Sequence, residues 1–195
     1  MNLSINYKSR IIFAVVMLFI TFNRLEAQIE EAENKVQETI WHVKAFKPNA
    51  ELIDIKAIDK DGKIHNIKAI QNSDDTSILD VKAFVNGKRL PVKLLVNEYD
   101  RYMPLKAIDD DGTIINVKGI TKEGEILDVK GISKSGNIIN IRAISKNGER
   151  YSLIAISPSG RKNDVKGIKL FDKEVETVIH GIKIFAHVKS ITQRN

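Results

Sequence analysis

The 195-residue chain contains no cysteine. That excludes disulfides, thiol nucleophiles, cysteine-ligated metal and a cysteine-borne lipid anchor together. Aromatics are few, and Trp41, Tyr99, Tyr102 and Tyr151 are scattered along the chain rather than banded. The girdles of a transmembrane barrel are therefore missing, and the reading goes against membrane insertion. Only four histidines occur, His42, His65, His180 and His187, with no HExxH or other tight ligand spacing. No glycine-rich phosphate cradle is present. "SPSG" (157–160) and "SKSG" (133–136) lack the glycine before the serine that a nucleophile elbow requires. "DKDG" (59–62) and "DDDG" (109–112) hint at calcium loops but lack the full D-x-[DN]-x-[DN]-G and the closing Glu, and read as turns first. No cofactor or metal is expected, and no catalytic residue can be named.

One apolar run exists, "IIFAVVMLFITF" from Ile11 to Phe22. It is shorter than the ~20 residues of a membrane span. Lys8 and Arg10 precede it and "NRLEAQ" follows, which reads as a secretory signal cleaved after Ala27, with an uncleaved anchor as the alternative. The chain is then exported, to the periplasm, the cell surface or the medium. The full chain carries a formal charge of +6, and residues 1–27 contribute Lys8, Arg10 and Arg24 against Glu26. The remainder is mildly basic, with acids and bases interspersed. Nucleic acid, which calls for a concentrated basic patch, is not an expected partner.

What is present in abundance is one phrase. The pattern [DN]-[VI]-K-[AG]-[IF] occurs as "HVKAF" (42–46), "DIKAI" (54–58), "NIKAI" (66–70), "DVKAF" (80–84), "PVKLL" (91–95) and "PLKAI" (104–108). It continues as "NVKGI" (116–120), "DVKGI" (128–132), "NIRAI" (140–144), "SLIAI" (152–156) and "DVKGI" (164–168), with "GIKIF" (181–185) as a degenerate twelfth copy. Self-similarity at a period of about twelve residues defines the architecture. The "LDVKGI" and "VKAI" units resemble a group of exported bacterial β-repeat proteins of unknown function. That resemblance implies export and a β-repeat fold, and brings no activity or catalytic residue with it.

Between units lie "DKDGK", "DDDGT", "TKEGE", "SKSGN", "SKNGE" and "SPSGR", each with Gly fourth. A type I turn followed by a left-handed glycine makes a three-residue hairpin loop. "VNGK" (85–88) reads as a two-residue type I′ turn. The fold class is therefore all-β: an antiparallel up-and-down meander of about twelve hairpin-connected strands. It closes as a flattened barrel or a two-layer sandwich, with a possible short N-terminal helix. The domain plan is a signal at 1–27, an acidic and possibly helical segment at 28–40, the repeat domain at 41–191 and a tail at 192–195.

The period of two gives each strand two faces. Leu127, Val129 and Gly131 and their equivalents form the core face; Asp128 and Lys130 lie on the other. Extending the hairpins strand by strand places Asp128 opposite both Lys118 and Arg142, Lys130 opposite Asn140, and Asp80 opposite Lys93. A charge ladder is expected through Asp54, Lys56, Asp80, Lys82, Lys93, Lys118, Asp128, Lys130, Arg142, Asp164 and Lys166, each opposite pair contributing ~0.2–1 kcal/mol. Its repetition marks it as structural, since an active site is singular. Pro91 and Pro104 mark a possible corner, because proline removes a ladder donor. His65 and His180 both fall on the core face, where they could approach one another.

Three loops break the repeat, at 71–77, 97–100 and 169–178. Loops on a rigid scaffold carry recognition, so Tyr99, Arg101 and Tyr102 are the candidate binding residues. The expected function is non-enzymatic: an exported scaffold or binding module for a protein or glycan partner. The alternatives are a carrier of an apolar small molecule in the β interior and an outer-membrane β-barrel.

Overall fold

The structure, a computed structural model, describes residues 38–193. The signal expected over 1–27 lies outside the described residues, as does the expected helical segment up to residue 37. Thr39 and Ile40, placed in that segment by the sequence, are strand residues.

Thirteen strands follow one another with no helix among the described residues. They are β1 (Thr39–Phe46), β2 (Leu52–Ile58), β3 (Ile64–Gln71), β4 (Ile78–Val85), β5 (Lys88–Leu95), β6 (Met103–Ile108) and β7 (Ile114–Ile120). β8 (Ile126–Ser135), β9 (Ile138–Ile144), β10 (Arg150–Ile156), β11 (Lys162–Ile168), β12 (Thr177–Ile179) and β13 (Ile182–Thr192) complete the set. All belong to one antiparallel sheet. The all-β, up-and-down plan of the repeat is thus present. The sheet is ring-like without being a regular barrel.

The register shows why. Each of the twelve long strands is paired on both sides, but on one side it changes partner at its middle. β2 pairs with β1 through Leu52–Asp54 and with β3 through Lys56–Ile58, while β1 and β3 pair with each other through their remaining halves. Three strands therefore meet at a point. The same three-strand junction recurs in β4, β5 and β13, in β6, β7 and β8, and in β9, β10 and β11. On its other side each strand runs along a strand of another junction: β1–β10, β2–β7, β3–β4, β5–β6, β8–β9 and β11–β13. Four junctions joined pairwise by six ladders have the connectivity of a tetrahedron. Closure leaves no long strand with a free edge, which removes the template for edge-to-edge aggregation.

The repeat motif encodes this geometry. Its central Val, Ile or Leu sits between the two half-ladders. Val43, Ile55 and Ile67 occupy the first junction and Val81, Val92 and Val188 the second. Leu105, Val117 and Val129 occupy the third, and Ile141, Leu153 and Val165 the fourth; all twelve are buried. The small residue two places on faces a junction aliphatic across each ladder, as in Val43↔Ala155, Ile55↔Gly119 and Val129↔Ala143. Large against small lets the strands converge on a tight interior. At one point the rule breaks: Leu94 stands where eleven other units have Ala, Gly or Ser. Gly131 and Gly167 make room for it. A Cβ on Gly167 would lie 2.6 Å from Leu94 Cδ1, and one on Gly131 would lie 3.0 Å from the same atom.

The turns follow the sequence closely. Asp59 N–H donates to Lys63 O at 3.2 Å and Gly62 N–H to Asp59 O at 3.1 Å, with Gly62 at φ +80°. The same pair of bonds closes 109–113, 121–125, 145–149 and 157–161. It also closes 47–51, where Ala50 takes the left-handed position at φ +64°. Asn86 and Gly87 both have positive φ, as a type I′ turn requires.

Four expectations need correction. First, "SKSGN" is not a three-residue loop: Ser135 pairs with Ile138, leaving Gly136 and Asn137 as the turn, with a bulge between Gly131 and Ser133. That bulge shifts the register, so Asp128 faces Ile144 and Lys130 faces Arg142, rather than Arg142 and Asn140. Second, Asp80 does not face Lys93. The β4–β5 ladder ends at Lys82↔Pro91, and Asp80 pairs instead with Lys189 of β13. Third, the twelfth unit is "HVKSI" (187–191), not "GIKIF": Lys189 and Ser190 hold the Lys and small positions, while Gly181 lies in a turn. Fourth, His180 is exposed in that turn at φ +49°, not core-facing. His65 is buried and bonded through Nε2 to Asp59 Oδ2 at 2.8 Å. The two prolines sit at partner-switch positions, Pro91 opposite Lys82 and Pro104 opposite Lys130, where the ladder is interrupted in any case.

Candidate functional site

The outward face of the strand centres carries the motif's Lys, replaced by Arg142 in β9 and Ile154 in β10, and the first three junctions gather these lysines in threes. At the first junction Asp54 accepts from Lys44 and lies 3.5 Å from Lys56. Lys56 donates to Asn66 Oδ1 at 2.8 Å, and Lys68 donates to His42 Nδ1 at 2.8 Å. Burial works to raise the Asp54 carboxyl, but Lys44 and Lys56 outweigh it and hold it below the usual range. Burial pushes Lys68 down, and the charges of Lys56 and Lys44 add to the effect. At the third junction Lys118 donates to Asp128, Lys106 to Asn116, and Lys130 to Asp100 Oδ2 at 3.1 Å. At the fourth, Lys166 donates to Asn140 Oδ1 at 3.0 Å and lies 3.3 Å from Asp164. Arg142 stacks no acid there: it faces Ser152 and donates to Ile141 O at 2.9 Å.

The ladder residues are thus brought together, but in half the pattern expected. Acid or amide meets Lys across the half-ladders inside a junction. Across the full ladders between junctions, cation meets cation: Lys56↔Lys118, Lys68↔Lys82, Lys93↔Lys106, Lys130↔Arg142 and Lys166↔Lys189. Acids face aliphatics there instead, as in Asp54↔Ile120 and Ile70↔Asp80. Pairwise hairpin arithmetic missed Lys44, Lys68, Lys106 and Lys189. Their place at the motif's third position was the available signal. Eleven of the twelve units put Lys or Arg there, Ile154 being the exception, whereas the first position holds only four acids, Asp54, Asp80, Asp128 and Asp164, one per junction.

The second junction is the most lopsided. Lys82, Lys93 and Lys189 share Asp80 alone, which Lys189 binds and so holds below the usual carboxylate range. Lys93 Nζ lies 2.5 Å from His187 Nδ1. Burial first, then the charges of Lys82 and Lys189, push Lys93 down to about 8. Burial and Lys93 likewise lower His187, consistent with a neutral ring whose Nδ1 accepts from the ammonium.

The loop between β5 and β6 holds Tyr99, Arg101 and Tyr102. Asn97 Oδ1 accepts the Tyr99 N–H at 3.2 Å, Asn97 Nδ2 donates to Tyr102 O at 3.3 Å, and Asp100 Oδ1 accepts the Tyr102 N–H at 3.2 Å. With Asp100 also bound to Lys130, the loop is anchored to the third junction. Tyr99 is 97% exposed. The guanidinium groups of Arg101 and Arg150 lie 4.6 and 5.8 Å from the Tyr102 ring centroid. The Tyr102 hydroxyl accepts from both, at 2.6 and 3.0 Å. Arg150 is a member of this cluster that sequence reasoning did not name. Each of the three repeat-breaking loops carries the chain from one junction to another, or, for 169–178, returns it to complete the second; the remaining passage, from β8 to β9, is the tight turn at Gly136 and Asn137.

A closed all-β repeat shell with an apolar interior and a lysine-rich exterior is the class of protein these features define. Residues 37–191 match a family of unknown function, DUF7486, and the chain belongs to that family. No curated protein and no solved structure matches it.

Proposed function

We propose that the protein is an exported, non-enzymatic binding module, with the 97–102 loop as its recognition element for a protein or glycan partner. The observation that carries this reading is the projection of Tyr99 from a loop braced by three side chain–backbone bonds and an ion pair. A nearly bare ring on a pre-organised loop binds at low entropic cost. The Arg101–Tyr102–Arg150 cluster beside it offers guanidinium edges to a carboxylate or sulfate and an aromatic body to a sugar ring.

Two features favour this over the alternatives. A carrier needs space between the core faces, whereas Leu94 fills the interior so tightly that a methyl group on Gly167 would lie 2.6 Å from it. A membrane barrel would turn its aliphatic face to lipid and its charged ladder to a lumen; here Leu127 and Val129 point inward and Lys130 outward. The test is binding of the chain from residue 28 onward to a glycan array and to isolated cell-surface fractions, with Tyr99→Ala and Arg101→Ala alongside. Each variant should keep the wild-type unfolding midpoint and lose the partner. Retained binding in both would end the assignment to this loop.

A further inference from the structure

The second junction stands apart from the other three in how little acid it sets against its cations. The positions facing Lys82, Lys93 and Lys189 across the half-ladders hold Pro91, His187 and Asp80. Pro91 offers no side-chain acceptor, and Lys82 makes no hydrogen bond or ion pair with the described residues. His187 offers Lys93 one lone pair, and Asp80 is taken by Lys189. Each of the three lysines also faces a second lysine across its full ladder: Lys82 faces Lys68, Lys93 faces Lys106, and Lys189 faces Lys166. At the third junction, by contrast, Asn116, Asp128 and Asp100 receive all three lysines. Like charges directly opposite one another destabilise a sheet, and burying one of them costs more. The fold keeps three such pairs around a single point, a standing repulsion that a bound anion would relieve.

We propose that the junction of β4, β5 and β13 binds a tetrahedral oxyanion, a phosphate or sulfate group, between Lys82, Lys93 and Lys189. Three ammonium groups arranged around a three-strand point match three oxygens of such a group. Lysine binds it as a point charge, without a fixed fork to satisfy. Lys93 then exchanges the His187 lone pair for a charged oxygen, and the ring Nδ1 is released. Asp80 opposes the ligand and is screened by Lys189; Glu38, at the rim, also opposes it and is paired with Arg89. Asp80 and Lys82 also line an open surface depression with Asn72 and the Glu38–Arg89 pair, which gives room for whatever the oxyanion is attached to. This site is separate from the 97–102 loop and stands or falls without it.

The test is calorimetric titration of the chain from residue 28 onward with inorganic phosphate, inorganic sulfate, glucose 6-phosphate and glucose 6-sulfate, at an ionic strength held constant with chloride. One saturable site is expected. Lys93→Met removes a donor, and Pro91→Asp places a carboxylate opposite Lys82. Each should weaken binding at least tenfold while the unliganded unfolding midpoint stays at or above wild type, because each relieves repulsion. Lys118→Met, at the third junction, should bind as wild type. Equal affinity for free and sugar-linked anions would make this a free-ion site; tighter binding of the sugar esters would assign it to a glycan substituent. Unsaturable binding, a Lys93→Met variant that binds as wild type, or an equal loss in Lys118→Met would overturn the proposal.

Discussion

Gly167→Ala is the sharpest perturbation of the interior. The added methyl would sit 2.6 Å from Leu94 Cδ1, 3.1 Å from Ile139 Cβ and 3.4 Å from Ala186 Cβ. Leu94 is fully buried, so any shift of its side chain presses on other core residues. Overpacking of this kind costs ~1–3 kcal/mol. Leu94→Ala alone leaves a cavity and should cost ~2–5 kcal/mol. Together the two changes restore the small-residue rule that the other units obey, so the methyl enters the space the leucine vacates. The double variant should therefore be more stable than the sum of the singles by ~1–3 kcal/mol, the overpacking cost it avoids. For a domain of this size each kcal/mol moves the midpoint by about 2–4 °C, which thermal unfolding followed by circular dichroism resolves. Additivity within ~0.5 kcal/mol would refute the account of how the interior is filled.

Other consequences are as direct. Ala50 holds a left-handed position that glycine fills in the five turns closed by the same two bonds, a conformation that costs ~1–2 kcal/mol with a side chain present. After the entropy glycine adds to the unfolded chain, Ala50→Gly should raise stability by about 0.5–1 kcal/mol in urea titration. Deleting residues 182–195 would remove β13 and leave β4, β5 and β11 partly unpaired at once; loss of the cooperative transition is expected, and a retained two-state unfolding curve would contradict it. Lys93 titrates at about 8 when folded, below the usual lysine value, so from pH 8 to about 10.5 the unfolded chain binds more protons. Stability should rise with pH over that window, and the rise should shrink in Lys93→Met, whose junction keeps Lys82, Lys189, Asp80 and His187. On the acid side, Asp80 and Asp128 are held low by Lys189 and Lys118. Their contribution is present above pH ~4 and is lost as pH falls through their folded values.

Strand existence, strand facing and turn chemistry were legible because each is local. Alternation sorted Leu127 and Val129 from Asp128 and Lys130, and a glycine in the fourth loop position announced Gly62, Gly112 and Gly124 in the left-handed region. Partner choice was not legible, because a strand that changes neighbours at its middle looks the same in sequence as one that does not. Carrying the β4–β5 hairpin on to Asp80 and Lys93 assumes an unbroken ladder. The ladder instead stops at Pro91, and Asp80 finds Lys189, 109 residues away. The same assumption hid the cation pairs between junctions, since a motif that reads Asp-Val-Lys suggests opposite charges on both sides. "HVKSI" repeats the first unit, "HVKAF", almost letter for letter, but the 169–181 connection and the bulge between Ile184 and Ala186 displace it from the twelve-residue period. In the 97–102 loop, Tyr99 stood out by residue type alone, while Arg150 enters through a contact spanning 48 residues.

The central claim is that four three-strand junctions are joined by six ladders, two of them between strands far apart in sequence. An NMR measurement of cross-strand contacts in isotopically labelled protein tests this most directly. The account predicts nuclear Overhauser effects linking Lys56 to Lys118 and Val43 to Ala155, together with a backbone pairing of Asp54 with Lys44 but not with Lys68, which an uninterrupted β2–β3 ladder would place opposite it. Absence of the Lys56–Lys118 and Val43–Ala155 contacts, with β2 instead paired along its whole length to β1 and β3, would describe an ordinary meander and contradict it.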